Sequence, residues 1–430
     1  MDGSSPTGDG DLFAPFASEL DWCIAEWVSL WEDPLLADHL IYQPKSIFQD
    51  VEKKKRSYSE MWTEKWWQFT QDKLPTGATA APLIIATNKT QLTQFSGSKQ
   101  AYPVYITLGN IPRSLRRKPS QQACILLGYL PVEKISKESL NKQEHSAHYL
   151  CLFHEAMHHV GRRVLRWPVQ MALSVVYIAD FPEQCLVTCS KYGTCLKCPV
   201  SADHLGDPLP AGAHCQTNAW TLGVMQEACR TTSSYSQYFK ACMKEEVSGY
   251  VQRPFWMNFP FPTYISLYQC VLKHLIAWCQ DVLGKDELDR RICCLPPAFG
   301  VRHFKNGLSS LSQIIRAILD FIYLAQYATH DDDTLSHMDN ALSTWHKYKD
   351  CFIDLNIQNN LNMPKFHSLE HYVEMICFLG TTDNFNTEMF KCLHIDFATK
   401  GWRASNKHNK FPQMTHWLSC QENIKLNNRL

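Results

Sequence analysis

The sequence predicts an α/β protein in which a mixed sheet flanked by helices carries a cysteine-rich insert and a large, mainly helical insertion. Three observations predict this class: four short apolar runs with strand character between residues 83 and 179, helical periodicity between the third and fourth runs, and mainly helical periodicity after residue 200. A chain of 430 residues can bury a large core and should contain two or three domains.

Each of the four apolar runs is followed by a residue that commonly ends a strand, in most cases a turn-forming residue. Each therefore has the length and punctuation of a short buried strand. The runs and the residues that follow them are 83–87 with Asn88, 104–108 with Gly109, 124–130 with Pro131, and 173–179 with Asp180.

Helical periodicity appears after the third predicted strand and again in the second half of the chain. Apolar residues over 141–166 recur at the spacing of one helix face, and this helix separates the third strand from the fourth. Further helices are expected at 264–283, 308–329 and 334–351.

Three strands, a helix and a fourth strand form the opening order of an RNase H-like core. That fold brings the end of the first strand beside the end of the fourth, here Asn88 and Asp180. Carboxylates at these two places hold a pair of divalent cations about 3.5–4 Å apart, because hard cations take oxygen ligands. The order of elements therefore directs the search for a catalytic site to these strand ends.

Changes in composition divide the chain into six predicted segments. Gly, Asp and Ser dominate the first, tryptophans alternate with charged residues in the second, and strand-like runs begin after Pro75 and Gly77. The segments are a disordered tail (1–11), an N-terminal helical region (12–75), the first part of the RNase H-like core (80–184), a cysteine-rich insert (185–215), a helical insertion (216–375) and a C-terminal helical part that completes the core (376–420).

Composition narrows the classes of function. Lys+Arg and Asp+Glu both total 42, so the formal net charge is zero, whereas most nucleic-acid binders are basic overall. Only local basic patches remain for that role. No uninterrupted run of about 18 apolar residues predicts a transmembrane helix, and the polar N-terminus predicts no signal peptide. We therefore expect a reducing compartment and no membrane partner.

Short stretches in a fixed order carry a family resemblance: 83–92, 95–97, 102–105, 109–110, 117–120, 177–185, 300–304, 320–326, 364–368, 386–388 and 393–396. They are similar to the signature of the Plavaka transposases, part of the Kyakuja–Dileera–Zisupton (KDZ) group of fungal DNA transposons. The stretches span most of residues 35–420. The chain thus resembles a degenerate member of this family of transposable elements.

The resemblance implies metal-dependent cleavage and transfer of DNA strands at transposon ends. Three acidic residues (a DDE triad) are expected to bind Mg²⁺ or Mn²⁺ for this reaction. The family's first aspartate corresponds to Asn88, and the second corresponds to Asp180. We assign the third acid to Glu388 on a C-terminal helix.

Asn88 departs from the family pattern, because its amide offers a carbonyl oxygen but no negative charge. Electrostatic stabilisation dominates phosphoryl transfer, so losing one ligand carboxylate should cost on the order of 10³-fold in rate. The same asparagine also suits a plain turn after a strand. Together with Asn88, the resemblance implies a transposon-derived, DDE-type transposase-like protein with impaired catalysis and weakened Mg²⁺ or Mn²⁺ binding. The alternatives are a domesticated or decayed interaction protein without DNA chemistry and a zinc metalloprotease of the H-E-x-x-H pattern.

The 18 cysteines include one group with metal-ligand spacing. In a reducing compartment, metal ligation and ordinary buried thiols are the expected uses of cysteine. Zinc needs four thiolate or imidazole ligands to close a structural site, and the family carries a cysteine-rich insert at 185–215. The predicted zinc ligands are Cys189, Cys195, Cys198 and His204, with Cys185, His214 and Cys215 as substitutes; free thiols remain the alternative.

Two histidine patterns suggest other metal chemistry. His154-Glu155-x-x-His158 matches the zinc-protease pattern, in which two histidines share a helix face and the glutamate acts as a base. Val164 stands where the longer metzincin form has a third histidine, and Glu183 is the available substitute ligand. A second candidate group consists of His367, His371 and His394 with Glu370 and Glu388.

The loop between the second and third predicted strands is basic. Its four cationic residues could hold phosphates without reading base sequence. The resemblance implies duplex DNA at transposon ends as the partner and the nucleus as the compartment. The predicted DNA contacts are Arg113, Arg116, Arg117 and Lys118.

Overall fold

A five-stranded mixed sheet lies at the centre of the fold. The computed structural model describes residues 27–93, 99–132, 142–164, 171–210, 212–213, 215–251, 254–258, 263–264, 268–284, 287, 309–408 and 410–427. The tail predicted over 1–11 and the family-like stretches at 95–97 and 300–304 lie outside these residues.

The central sheet has the strand order β7-β6-β3-β8-β9. β3 is antiparallel to β6, β6 is antiparallel to β7, and β8 runs parallel to both β3 and β9. The four longer strands agree with the four predicted runs. The bounds are β3 (Thr79–Thr87), β6 (Pro103–Leu108), β7 (Cys124–Tyr129), β8 (Met171–Ile178) and β9 (Thr263–Tyr264).

β3 and β6 are buried along nearly their whole length, because both faces of the sheet are covered. A strand buried on both faces has a continuous apolar run rather than an alternating one. This explains why the runs were visible in the sequence. A β-bulge between Val104 and Tyr105 shifts the pairing of β6 with β7.

Two small sheets complete the β structure. β1 (Ile47–Phe48) and β2 (Arg56–Tyr58) form one sheet with β10 (His330–Asp331), and β4 (Thr90–Gln91) pairs with β5 (Gln100–Ala101) as a hairpin. These strands are only two or three residues long, and periodicity over so few residues predicts nothing. The first small sheet ties the N-terminal region to the C-terminal half of the chain.

Seventeen α-helices lie among the described residues. The predicted helices over 141–166, 264–283, 308–329 and 334–351 correspond to α5, α9, α10 and α11. The bounds are α1 (Trp27–Glu32), α2 (Pro34–Ala37), α3 (Lys65–Gln71), α4 (Arg113–Arg116), α5 (Lys142–Val164), α6 (Phe181–Thr188), α7 (Asn218–Thr231), α8 (Tyr235–Lys244), α9 (Tyr268–Leu283), α10 (Ser309–Ala325), α11 (Asp332–Tyr348), α12 (Cys351–Asp354), α13 (Pro364–His367), α14 (Tyr372–Leu379), α15 (Glu388–His394), α16 (Lys400–Ala404) and α17 (Lys410–Asn427).

The start of α11 illustrates how sequence sets an element boundary. The Thr334 backbone N–H donates to the Asp331 carboxylate at 2.8 Å, and the Asp331 N–H donates to the Thr334 hydroxyl at 2.8 Å. This reciprocal pair is a capping box, which satisfies two backbone donors that a helix start leaves without partners. It fixes the register of a helix that packs against α10.

Three large apolar clusters form the core. One packs α5, α7 and α8 against one face of the central sheet, and the second packs α3 and helices α14–α17 against the other face. The third joins α9, α10, α11 and α14. Within the described residues, none of the helices combines the length and apolar character needed to cross a bilayer.

Candidate functional site

Asn88 and Asp180 follow the carboxyl ends of two neighbouring parallel strands. Ala86 of β3 pairs with Ile178 of β8, and continuing that register by two residues brings Asn88 level with Asp180. Neighbouring strands in a sheet are about 4.8 Å apart. Both residues therefore follow neighbouring strands at the carboxyl edge of the sheet, and their direct proximity remains a prediction.

The same face of the sheet carries both residues. Ile84 and Ala86 of β3, with Val176 and Ile178 of β8, belong to the apolar cluster of the C-terminal helices. Side chains alternate between faces along a strand, so residues 88 and 180 belong to this face as well. The C-terminal helices are thus the elements that can bring a further acid to the pair.

Glu388 begins one of these helices, α15. Farther along α15, Phe390 stacks on Tyr105 of β6 with ring centroids 6.1 Å apart, and His394 Nδ1 lies 2.9 Å from the Tyr105 hydroxyl. These contacts fix α15 against the face that carries Asn88 and Asp180. They also engage His394 away from His367 and His371, so the three histidines do not form one group.

A buried carboxyl group lies behind the strand ends, on the opposite face. Glu183, in the first turn of α6, is only 7% exposed, and the Tyr177 hydroxyl is 3.5 Å from its Oε1. Burial raises the pKa of Glu183 to about 8, although hydrogen bonds from Tyr102 and Tyr177 and the charge of Lys89 oppose the shift. The sequence analysis considered Glu183 only as a possible protease ligand. Its position one helical turn after Asp180 was the signal that it would lie near the strand ends.

The Glu183 neighbourhood joins both strand ends. The hydroxyls of Thr87 and Tyr177 are 2.5 Å apart, and Thr87 directly precedes Asn88. Lys89, which directly follows Asn88, contacts the hydroxyl of Tyr149 and lies 4.3 Å from the centroid of its ring. The residues that flank Asn88 are therefore held by α5 and β8.

A second candidate site combines Cys195 and Cys198 with His367 and His371. The four side chains are buried, and their ligand atoms all lie within 4.8 Å of one another. Cys198 Sγ is 3.1 Å from His367 Nε2, and Cys195 Sγ is 3.3 Å from His371 Nε2. Tetrahedral zinc, with bonds of about 2.3 Å to sulfur and 2.0 Å to nitrogen, holds such atoms about 3.5 Å apart.

Backbone groups orient two of these four side chains, His367 and Cys195. The His367 Nδ1–H donates to the Leu205 carbonyl at 3.1 Å, which leaves Nε2 with a lone pair directed at the group. The Lys197 N–H donates to Cys195 Sγ at 3.3 Å. Burial alone would raise the pKa of the Cys195 thiol, but hydrogen bonds with Cys198 and the two histidines hold that pKa well below its usual range. A thiolate with two imidazole nitrogens is a donor set that suits zinc.

The other predicted zinc ligands lie elsewhere. Cys189 is fully buried with its Sγ 3.5 Å from His154 Nε2. His204 is exposed and pairs with Asp207 at 3.0 Å. Among the substitutes, Cys215 is exposed with its Sγ 3.8 Å from Glu374 Oε1, Cys185 packs in a small apolar cluster with Phe181, and His214 is outside the described residues.

His154 of the protease-like pattern is a core residue. The Phe255 N–H donates to its Nδ1 at 3.2 Å, so Nε2 carries the proton and donates to the Leu186 carbonyl at 2.9 Å. Burial lowers the pKa of His154 to about 3, which keeps the ring neutral. With both nitrogens engaged by backbone groups, this histidine suits a structural role better than metal ligation.

Three of the four predicted DNA contacts are engaged inside the protein. Arg116 is 3% exposed and donates to the Ile111 carbonyl at 2.9 Å and to Asn384 at 2.8 Å. The Arg113 guanidinium donates to the Thr381 hydroxyl and the Ala328 carbonyl. Arg117 pairs with Asp383 at 2.8 Å while half exposed, and Lys118 is exposed. This basic loop mainly anchors the segment between α14 and α15.

Fold and site together define an α/β protein with a candidate cation site at the carboxyl edge of its sheet and a candidate zinc centre. The chain belongs to the Plavaka transposase family, whose model matches residues 23–279. It is a transposon-derived, transposase-like protein. No curated protein matches the chain. The matched range contains Asn88, Asp180 and the two candidate zinc cysteines, whereas His367, His371 and Glu388 lie beyond it.

Proposed function

We propose that this protein has an RNase H-like, DDE-type strand-transfer core whose catalysis is impaired at Asn88. The observation that supports the proposal is the parallel register of β3 with β8, in which Ala86 pairs with Ile178 two residues before Asn88 and Asp180. An acid on the first strand and an acid after the fourth are the two ligands that such a core presents to a pair of divalent cations. Here only one of the two positions carries a charge.

The strand order supports an RNase H-like core. Numbered within the central sheet alone, the strands lie in the order 3-2-1-4-5, with the first three antiparallel and the fourth and fifth parallel to the first. α5 connects the third strand to the fourth. The start of α15 on the acid-bearing face supports Glu388 as the third acid.

The donor set at the strand ends fits a divalent cation only in part. Asp180 and Glu388 would hold Mg²⁺ or Mn²⁺, which would polarise the scissile phosphate and activate the attacking oxygen. Asn88 would add only a neutral carbonyl oxygen. The site would therefore have one negative charge fewer to balance the charge of the cations. Because catalysis here depends on charge at the phosphate, we propose that cleavage is slowed on the order of 10³-fold.

We further propose a structural zinc ion at Cys195, Cys198, His367 and His371. The Cys-x2-Cys pair comes from the loop after α6, and the histidines come from α13 and the turn that follows it. A zinc ion bound by the cysteine pair and the histidine pair would link the loop after α6 to the helices that precede α15. This ligand set replaces Cys189 and His204 by the two histidines.

A catalytic assay of Asn88→Asp tests the impaired centre. Supercoiled plasmid is incubated with Mn²⁺ and wild type, Asn88→Asp, or Asn88→Asp/Asp180→Asn. We expect metal-dependent nicking to rise at least tenfold in the single variant, since a restored carboxylate contributes more than about 1.4 kcal/mol, and to fall back in the double variant. Equal nicking by wild type and Asn88→Asp would contradict impairment at this residue.

A second function, protein interaction without DNA chemistry, is favoured by one observation. Arg113, Arg116 and Arg117 are bonded to Glu60, Thr381, Asp383 and Asn384, so three of the four predicted DNA contacts already have partners within the protein. Under this alternative, duplex DNA would not bind even at low salt. If DNA binds, the proposed compartment is the nucleus, where its partner is found.

A further inference from the structure

Two long stretches of this electrically neutral chain contain no acidic residue. Residues 73–132 carry seven lysines and arginines without one Asp or Glu, and residues 397–421 carry Lys400, Arg403, Lys407 and Lys410, again without an acid. Charges of one sign are therefore segregated even though the whole chain balances. Such segregation matters only if the stretches lie together in space.

The two stretches pack against each other. The Tyr129 hydroxyl at the end of β7 donates to the Phe397 carbonyl at 2.6 Å, and the Tyr129 ring lies 5.1 Å from that of Phe411 in α17. At the β4–β5 hairpin, Lys410 Nζ donates to the Gln100 carbonyl at 3.3 Å. The hairpin, α16 and the start of α17 thus form one region of the surface.

Cations on this region face solvent. Lys99, Arg403 and Lys407 are exposed, and within the described part of the chain their side chains form neither hydrogen bonds nor ion pairs. Lys410 lies over the rings of Trp402 and Phe411, 5.5 and 4.7 Å from their centroids. These solvent-facing cations differ from the arginines of the β6–β7 loop, which form ion pairs with acidic residues.

We propose that Lys99, Arg403, Lys407 and Lys410 form a surface that binds the phosphate backbone of duplex DNA. Clustered cations on a protein surface bind phosphates by releasing condensed counterions, without reading bases. The hairpin begins two residues after Asn88, so DNA on this surface passes beside the strand ends. The inference rests on the proposed function in naming DNA as the polyanion, and it moves the contact away from the predicted loop.

The test compares variants of equal charge change. A labelled DNA duplex of arbitrary sequence is titrated by fluorescence anisotropy at several salt concentrations, without divalent cations. The surface variant is Lys99→Ala/Arg403→Ala/Lys407→Ala. The matched control is Lys53→Ala/Lys54→Ala/Lys55→Ala, an exposed run on the N-terminal region in which Lys54 pairs with Glu52 and Lys55 pairs with Asp333.

We expect the surface variant to bind at least tenfold more weakly at low salt. Its slope of log K against log salt should fall by about 2 to 3 units, because each phosphate contact contributes about 0.9. The control should retain the wild-type slope. Equal losses in both variants, or a loss confined to Arg117→Ala/Lys118→Ala, would overturn the proposal, as would tighter binding of an RNA duplex. Since no divalent cation is present, failure here is distinguishable from failure of the proposed strand-transfer centre.

Discussion

Asn88 differs from aspartate by one amide group, yet the difference changes the electrostatics of the whole strand edge. Two carboxylates about one strand spacing apart repel each other unless a cation lies between them. An asparagine at residue 88 would remove that repulsion and weaken the attraction of the strand ends for a cation. Stability without metal and the proposed loss of catalysis would therefore have the same cause at this position.

Glu183 illustrates the opposite case, a carboxyl group kept neutral by its surroundings. Burial raises the pKa of Glu183 to about 8 from the ordinary value of 4.5. Between these pH values the native chain keeps a proton that the unfolded chain has lost. The stability of the native state is therefore greatest below about pH 4.5, as far as this residue is concerned, and declines as pH rises towards about 8.

Glu183→Gln should remove this pH dependence, because glutamine is neutral at every pH. We expect the free energy of unfolding of the variant, minus that of wild type, to increase by a few kcal/mol as the pH rises from about 5 to about 8.5. One pKa unit corresponds to about 1.4 kcal/mol. Urea denaturation across this range measures the difference. Parallel stability curves for the two proteins would show that Glu183 is ionised in the native state.

At the scale of elements, the segment between α14 and α15 depends on the loop between β6 and β7. Arg116 reaches across to Asn384, and the Asn384 amide in turn donates to the Ser59 carbonyl at 2.7 Å. Three distant parts of the chain meet at this point. The sequence displayed only a basic loop, and whether an arginine faces DNA or a buried amide depends on tertiary contacts that local patterns do not encode.

Arg116→Lys should therefore destabilise the fold although it conserves charge. The shorter ammonium cannot donate to Ile111 and Asn384 at once, and it leaves a buried charge with poorer partners. We expect a loss of about 2–4 kcal/mol in the free energy of unfolding, measured by chemical denaturation. Lys118→Ala, at an exposed position of the same loop, serves as the control and should change stability by less than about 0.5 kcal/mol. Similar effects of the two substitutions would contradict the anchoring role.

At the scale of the whole molecule, the predictable features were those encoded locally. β3, β6 and β7 were visible because they are buried on both faces, and the long helices were visible from their periodicity. The sequence analysis named the four candidate zinc ligands, but it placed the two cysteines and the two histidines in separate groups. Cys195 and Cys198 have ligand spacing, but their partners His367 and His371 lie far along the chain, and only the fold brings the two groups together.

Metal analysis of ligand variants distinguishes the two candidate zinc sets. Protein purified without chelator should contain about one zinc ion per chain, as a closed site with four ligands binds one ion. His371→Ala should lose it. His204→Ala, which alters an exposed histidine outside the cluster, should retain it. Zinc retained by His371→Ala but lost from His204→Ala would favour the ligand set predicted from spacing.

The central claim is that Asn88 stands at a cation-ligand position at the end of β3. Mn²⁺ binding tests this claim most directly. Titration calorimetry compares wild type, Asn88→Asp and Asn88→Asp/Asp180→Asn in the absence of DNA. If residues 88 and 180 are neighbouring ligand positions, Asn88→Asp will bind Mn²⁺ at least tenfold more tightly than wild type, and the double variant will lose that gain. Identical Mn²⁺ affinities for wild type and Asn88→Asp would contradict the claim that Asn88 stands at a cation-ligand position.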